Sequence, residues 1–167
     1  HRRPNPMDHP QTEPLQIKRL GDGDIETFMA LLRLFEEVFE MPHFAMPPRA
    51  YLQSLLQRDE LLIFVALRGA MVVGGFTAHV IPSYFLQASL VYLQDLAVKG
   101  AYQRQGIGRM LMEAGVQFCR DNGYQELFLE ADVVDDYALE FYRATGANEE
   151  NTVTFMYVTG PAIPGSY

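Results

Sequence analysis

The 167-residue chain has little of several features that mark common classes of protein. Its only cysteine is Cys119, which excludes an internal disulfide and suits a reducing, cytoplasmic compartment. It has no run of about eighteen apolar residues, so we expect no membrane span. The polar, proline-rich N-terminus lacks the apolar stretch of a secretory signal, so none is expected.

Basic residues are also scarce. The chain has 13 lysines and arginines and 21 aspartates and glutamates, which gives a net charge of −8. Without a basic stripe we expect no nucleic-acid partner. An acidic surface attracts cationic small molecules or basic peptides, although the same charge also serves solubility alone.

The length predicts a single domain with its own core, and we find no internal repeats. We expect that domain over residues 14–160, with a disordered or non-native tail at 1–13 and a short tail at 161–167. Hydrophobic periodicity predicts strands at 15–20, 61–67, 71–80, 90–98, 125–132 and 152–158, and helices at about 25–39, 49–58, 107–122 and 135–145. The predicted class is α/β, a mixed sheet in the order β-α-α-β-β-β-α-β-α-β with helices on both faces.

The most informative segment is the predicted strand 90–98, which runs into Gln103-Arg-Gln-Gly-Ile-Gly108 and then into an amphipathic helix. Glycines let the backbone pass close to a ligand because no Cβ stands in the way. The start of a helix adds free N–H groups and the positive end of its dipole. The segment therefore predicts a site for an anion, above all a pyrophosphate.

The glycine spacing excludes two nucleotide motifs. The dinucleotide fingerprint needs a third glycine where Leu111 stands, and the P-loop needs Gly-Lys-Ser/Thr where Arg109 follows a glycine. The pattern that fits is Gln/Arg-x-x-Gly-x-Gly/Ala, at Gln103, Gly106 and Gly108. This pattern resembles the acetyl-CoA signature of the GCN5-related N-acetyltransferase (GNAT) superfamily.

The resemblance implies the GNAT fold over about residues 15–158, with two central parallel strands that splay apart around the cofactor. It implies that backbone amides of the turn hold the CoA pyrophosphate and that the strand before it contacts the pantetheine arm. The side chains of Arg104 and Arg109 either add charge there or are solvated surface arginines. The CoA-binding residues implied in this way are Leu96, Ala97, Val98, Gln103, Arg104, Gln105, Gly106, Ile107, Gly108, Arg109, Asp135, Ala138 and Tyr142.

A second motif, at 135–146, resembles the family's Asn-x-x-Ala-x-x-Phe-Tyr-x-x-x-Gly-Phe segment. Ala138 and Tyr142 match, whereas Asp135 replaces the asparagine and Ala147 the final phenylalanine. The resemblance implies that Tyr142 is the general acid that protonates the leaving CoA thiolate, and a phenol is chemically suited to that role. The alternative is that Tyr142 only packs in the core.

The general base is harder to assign. Related polyamine acetyltransferases carry Glu-Asp-Leu in the central strand, where this chain has Gln94, Asp95 and Leu96, and a glutamine cannot accept the proton. Asp95 can act as the base if a β-bulge turns it toward the cleft; with simple alternation it faces away and is structural. His79 is a second candidate, and solvent in an acidic cleft is a third.

Acidic residues are concentrated where the fifth predicted strand leads into the last helix. Glu130, Asp132, Asp135 and Asp136 lie at the carboxyl end of a parallel strand, the usual ligand side of an open sheet. One of them can cap the helix. Like charges at this density repel one another unless a cation relieves them, which a polyamine or an aminosugar would do.

The segment from Tyr92 to Ile107, together with Glu130-Ala-Asp132 and Asp135-Asp136, resembles the aminoglycoside 3-N-acetyltransferases of this superfamily. This implies acetyl-CoA-dependent acetylation of the 3-amino group of aminoglycoside antibiotics, by direct transfer in a ternary complex that uses no metal and confers resistance. The implied catalytic residues are Tyr142 and Asp95. The implied acceptor-binding residues are His79, Asp95, Glu130, Asp132, Asp135 and Asp136.

Two other functions stay open at this point. The acceptor could be another small amine, a polyamine or a protein N-terminus. The chain could also be a CoA-binding module without turnover, because Gln94 replaces the glutamate of the polyamine enzymes. The resemblance leaves a homodimer open as well.

Overall fold

The computed structural model describes residues 13–162, so nearly all of the predicted N-terminal tail and residues 163–167 lie outside the described residues. None of the helices in this part of the chain is long and apolar enough to cross a membrane. The strands are β1 (Leu15–Arg19), β2 (Leu61–Arg68), β3 (Met71–Pro82), β4 (Ser89–Val98) and β5 (Glu126–Phe128). The helices are α1 (Ile25–Val38), α2 (Arg49–Leu56), α3 (Ile107–Asp121) and α4 (Asp136–Ala144), with a short 3₁₀ turn at Gly100–Tyr102.

The strands form one mixed sheet in the order β1-β2-β3-β4-β5. The first three pairs are antiparallel, and β4 pairs with β5 in parallel. The parallel pair is joined through α3, as a strand-helix-strand crossover requires. The predicted α/β class is therefore confirmed.

The sheet has an apolar core on each face because the side chains of its strands alternate. On one face, Ile63 and Val65 of β2 pack with α1 and α2 through Leu31 and Leu52. On the other face, the strands pack against α3, and the core residues there include Phe64, Phe76, Ala78, Val91, Leu93 and Leu111. The two layers hold the central strands rigidly beside the start of α3.

The predicted sixth strand at 152–158 is wrong. Residues 151–159 form no strand, and large side chains along them are exposed, with Phe155 at 85% and Tyr157 at 89%. Alternation of apolar residues indicated a strand, but a strand also needs a neighbour with free backbone groups. The adjacent edge strand β5 is only three residues long, so it offers little to pair with.

The predicted strand 125–132 also ends early, at Phe128. Its parallel pairing with β4 stops at the pair Tyr92 and Phe128. Glu130 and Asp132 therefore lie in irregular chain beyond the strand. Beyond this pair the edge of β4 has no strand partner in the described part of the chain, and we call this place the opening. The resemblance predicted strands that splay apart here.

Candidate functional site

The turn before α3 is built from left-handed backbone. Gly106 is the N-cap of α3 with φ of 81°, and Arg104 has φ of 61°. The first bond of the helix runs from the Met110 amide to the Gly106 carbonyl, 3.0 Å apart. The amides of the three residues before Met110 thus precede the helical ladder, and no side chain caps them. They are available to an anion.

Gly106 leaves room for such an anion, because a Cβ built on it would meet nothing within 4 Å. The second glycine of the motif has a different surrounding. A Cβ on Gly108 would lie 3.1 Å from Cζ of Phe141, so this glycine lets α3 approach α4 closely. The structure therefore gives the two glycines separate tasks, one facing open space and one packing two helices together.

The side chains of the turn mostly support it. The Gln103 side chain donates from Nε2 to the Val98 carbonyl at 3.1 Å and ties the turn to the end of β4. Ile107 is buried in the core. Arg109 lies 3.4 Å from Glu113 in an exposed pair one helical turn apart, whereas Arg104 and Gln105 are exposed. The anion-binding capacity of the turn thus comes first from its backbone.

A β-bulge in β4 decides where Asp95 points. Thr77 of β3 pairs with Asp95 and Ala78 pairs with Leu93, so Gln94 is the extra residue. Without the bulge, Asp95 would share the face of Leu93, which lies in the core beneath α3. With it, Asp95 shares the opposite face with Ala97, which packs toward α1 and α2. The bulge on which the proposed role of Asp95 depends is thus present, and the role itself stays a prediction.

Beyond Tyr92, the side of β4 that faces β5 has no strand partner within residues 13–162. The backbone of residues 96–98 lies on this stretch. The Val98 carbonyl accepts the Gln103 bond, and the other polar groups of this edge can meet an extended ligand. The predicted pantetheine-contacting segment and the amides of the turn therefore border the same opening.

The charge of Asp95 reaches Tyr142. Burial raises the pKa of Tyr142 to about 12, and the carboxylates of Asp135 and Asp95 add to that rise. Burial also raises the pKa of Asp95, while the charge of His79 opposes the shift. A phenol that stays protonated thus lies within electrostatic reach of a carboxylate with raised basicity, a pairing suited to proton transfer.

His79 is held by Gln94. Its Nε2 donates to Oε1 of Gln94 at 2.6 Å, because an amide oxygen can only accept. This bond leaves Nδ1 as the nitrogen that could take a proton in the neutral ring. The sequence identified Gln94 only as a residue that cannot be the base. The contact of Gln94 with His79 depends on the bulge, and no local sequence pattern predicted that bulge.

Three of the four acidic residues accept hydrogen bonds from different partners. Asp135 caps α4 by accepting from the Ala138 amide at 3.1 Å, and Asp132 accepts from the Val134 amide at 3.2 Å. Glu130 accepts from the Thr154 hydroxyl at 3.2 Å. Asp136 lies exposed in the first turn of α4. In the described part of the chain, no three of these or other ligating side chains are placed to hold a metal ion.

Comparison with known proteins identifies the family. Residues 28–147 match the acetyltransferase (GNAT) family. The chain belongs to the GNAT family. Curated relatives include the human N-acetyltransferase 8, 30% identical over 94 residues, which are 56% of this chain and 41% of that protein. The mouse probable N-acetyltransferase family 8 member 5 is 32% identical over 83 residues, or 50% of this chain and 37% of that protein. The GNAT chain thus spans less than half the length of these two relatives.

Solved structures resemble this GNAT chain over nearly their full length. The aminoglycoside acetyltransferase meta-AAC0020, from an uncultured soil metagenomic sample, was solved with sisomicin. It is 45% identical with a TM-score of 0.86, covering 87% of this chain and 97% of that one. The structure of the same enzyme with trehalose is 46% identical with a TM-score of 0.85, covering 87% of this chain and 97% of that one. A second soil metagenomic aminoglycoside acetyltransferase, HMB0005, is 28% identical with a TM-score of 0.80, covering 87% of this chain and 99% of that one.

Proposed function

We propose that this protein transfers the acetyl group of acetyl-CoA to an amine of an aminoglycoside, at the 3-amino group, by direct attack in a ternary complex. Two observations support this proposal: the bulge that turns Asp95 to the α1/α2 face of β4, and the rise that the charge of Asp95 causes in the pKa of Tyr142. In the proposal, Asp95 accepts a proton and Tyr142 donates one. The glycine turn borders the opening.

The donor half of the site uses backbone groups. The pyrophosphate of acetyl-CoA binds the free amides of residues 107–109, with Gly106 leaving the space open. The pantetheine arm lies along the unpaired edge of β4 at residues 96–98. An amide of that edge stabilises the oxyanion of the tetrahedral intermediate. These contacts hold the thioester in line with the amine.

The reaction removes two protons from the acceptor nitrogen and adds one to the CoA sulfur. Asp95 takes a proton from the ammonium group of the acceptor, and the neutral nitrogen then attacks the thioester carbon. The new C–N bond forms, the C–S bond breaks, and Tyr142 donates its proton to the departing thiolate. The second proton of the attacking nitrogen restores the Tyr142 phenol, and the proton on Asp95 leaves to solvent. With a pKa of about 12, Tyr142 is protonated throughout the neutral range. The burial that raises this pKa also raises the basicity of a thiolate formed beside it.

The acceptor assignment is supported by charge and by the relatives. An aminoglycoside carries several ammonium groups, which suit a chain of net charge −8 and the carboxylates of Glu130, Asp132 and Asp136. Two of the compared structures, at 45% and 46% identity, are of an aminoglycoside acetyltransferase, one with sisomicin bound. We extend the proposal to antibiotic resistance, with the enzyme acting in the cytoplasm.

The test is a thioester-consumption assay with acetyl-CoA against a panel of aminoglycosides, spermidine and a peptide with a free N-terminus. We expect turnover with sisomicin and gentamicin and an acetylated product in the mass spectrum. Turnover with spermidine or the peptide alone would replace the acceptor assignment. Binding of acetyl-CoA without product from any amine would contradict the catalytic role.

A further inference from the structure

Three rings lie side by side across the last three strands. His79, Tyr92 and Phe128 occupy directly paired positions of β3, β4 and β5. The ring centroids are 6.5 Å apart between His79 and Tyr92 and 5.2 Å apart between Tyr92 and Phe128. Directly paired residues project to the same face of a sheet, so these side chains form one aromatic row.

The aromatic row lies on the α1/α2 face of the sheet. The strand neighbours Ala78 and Val91 are buried in the core beneath α3, so the rings beside them project the other way. Helices α1 and α2 cover that face over β2 and over Ala97. At the aromatic row the face is more open, since Phe128 is 37% exposed and the other two rings are half-buried.

Two carboxylates lie along the side of the row nearest the opening. The bulge places Asp95 on this face, three residues after Tyr92, and Glu130 follows Phe128 by two residues. Burial raises the pKa of Tyr92, and the charges of Glu130 and Asp95 add to the rise, so both carboxylates lie within electrostatic reach of its ring. The aromatic row therefore has two carboxylates beside it, and one of them, Asp95, is the proposed base.

We propose that the aromatic row of His79, Tyr92 and Phe128 is a binding subsite for one aminosugar ring of the acceptor, with Glu130 and Asp95 binding its ammonium groups. The inference rests on the proposed function and adds the residues that determine acceptor specificity. An aminosugar ring has an apolar C–H face and charged nitrogens at its rim, which matches aromatic carbon edged by carboxylates. A linear polyamine has the charges without the ring face.

The first test compares two acceptors in one variant. Phe128→Ala should raise the KM for the best aminoglycoside by about tenfold, equivalent to about 1.4 kcal/mol. It should leave the KM for acetyl-CoA, and the binding of spermidine, within about twofold. Phe128→Tyr should restore the aminoglycoside KM because it keeps the ring. Glu130→Gln should weaken aminoglycoside and spermidine binding alike, and more so at low salt.

The matched control is Phe118→Leu beside Phe128→Leu. Phe118 is half-buried on the opposite face, where it packs edge-on against Phe64. Thermal melts of both leucine variants show whether the fold is kept. A rise in acceptor KM with Phe128→Leu and none with Phe118→Leu supports the subsite, whereas equal effects or no effects overturn it.

A second readout needs no turnover. Addition of sisomicin to the wild-type protein should shift the ring NMR signals of His79 and Phe128, and spermidine should shift them less. Shifts without acetyl transfer would keep the subsite and reject the proposed function. Acetyl transfer with unmoved ring signals and unchanged variant kinetics would reject the subsite and keep the function. Neither shifts nor transfer would reject both.

Discussion

The proposed donor and acceptor sides of the opening are built in different ways. On the donor side, a run of contiguous residues shapes backbone amides around Gly106, and the side chains mainly brace the turn. On the acceptor side, the working groups are side chains from three strands, brought together by strand pairing and by one bulge at Gln94. A backbone site depends on local conformation, whereas a side-chain site depends on register.

The largest expected loss of activity is at Tyr142, which takes part in the chemical step between donor and acceptor in the proposed mechanism. Tyr142→Phe removes the proposed proton donor, so kcat should fall by at least about 100-fold, the usual size of a general-acid contribution. The KM for acetyl-CoA should stay within about twofold. Tyr137→Phe on the same helix, at a position 56% exposed, is the control and should behave like wild type. An unchanged kcat in Tyr142→Phe would remove it as the acid.

The acceptor side is tested next by Asp95→Asn. The base works in its ionised form, so activity should fall as the pH drops through the folded pKa of Asp95, which burial places above its ordinary value. Asp95→Asn should lower kcat/KM by about 100-fold and abolish the fall of activity at low pH, the acid limb of the pH profile. His79→Gln should move the limb to higher pH, because the charge of His79 opposes the rise.

The control for the acceptor side is Asp59→Asn, at an exposed position between α2 and β2. Its pH profile should match the wild type. An acid limb that persists in Asp95→Asn would assign the base to another group or to solvent.

The donor side is tested by Gly106→Asp. Aspartate tolerates the left-handed backbone and is a good N-cap, so α3 should keep its stability. Its charge lies where the pyrophosphate would bind, and the KM for acetyl-CoA should rise by about tenfold or more, with Gly106→Asn giving a smaller rise. Gly123→Asp, also at positive φ with nothing within 4 Å, is the control at the other end of α3. An equal KM effect at both glycines would show that the turn does not bind the donor.

The smallest expected effect is on stability, and it tests whether Gly108 has a packing role that Gly106 lacks. Gly108→Ala presses a methyl group on Phe141, so it should lower the stability by about 1 kcal/mol, a few degrees in the melting temperature. Adding Phe141→Leu should recover most of that loss. Melting temperatures of the single and double variants measure the coupling, and additive losses would rule out this packing contact.

The donor side could be predicted from sequence because everything it needs is contiguous. A buried strand, a glycine turn at Gly106 and an amphipathic helix follow one another within residues 89–121, and each has a local signature. Only the task of Gly108 was not foreseen, since Phe141 comes from α4, 33 residues later.

The acceptor side could be predicted only in part. The sequence identified Asp95 and Glu130 as candidate site residues by their carboxylates. The bulge that orients Asp95 depends on the register between β3 and β4, which the sequence does not show. Tyr92 and Phe128 were not recognised as site residues because their alignment with His79 exists only after the strands pair. The sixth strand was wrong for a similar reason, since its apolar pattern could not show that the edge strand β5 is only three residues long.

The most direct test of the account is a steady-state experiment on the wild-type protein with acetyl-CoA and sisomicin varied together. We predict intersecting double-reciprocal plots, as a ternary complex requires, and a product that carries one acetyl group on the 3-amino nitrogen. Release of CoA without acetylated sisomicin, at any concentration of either substrate, would contradict it.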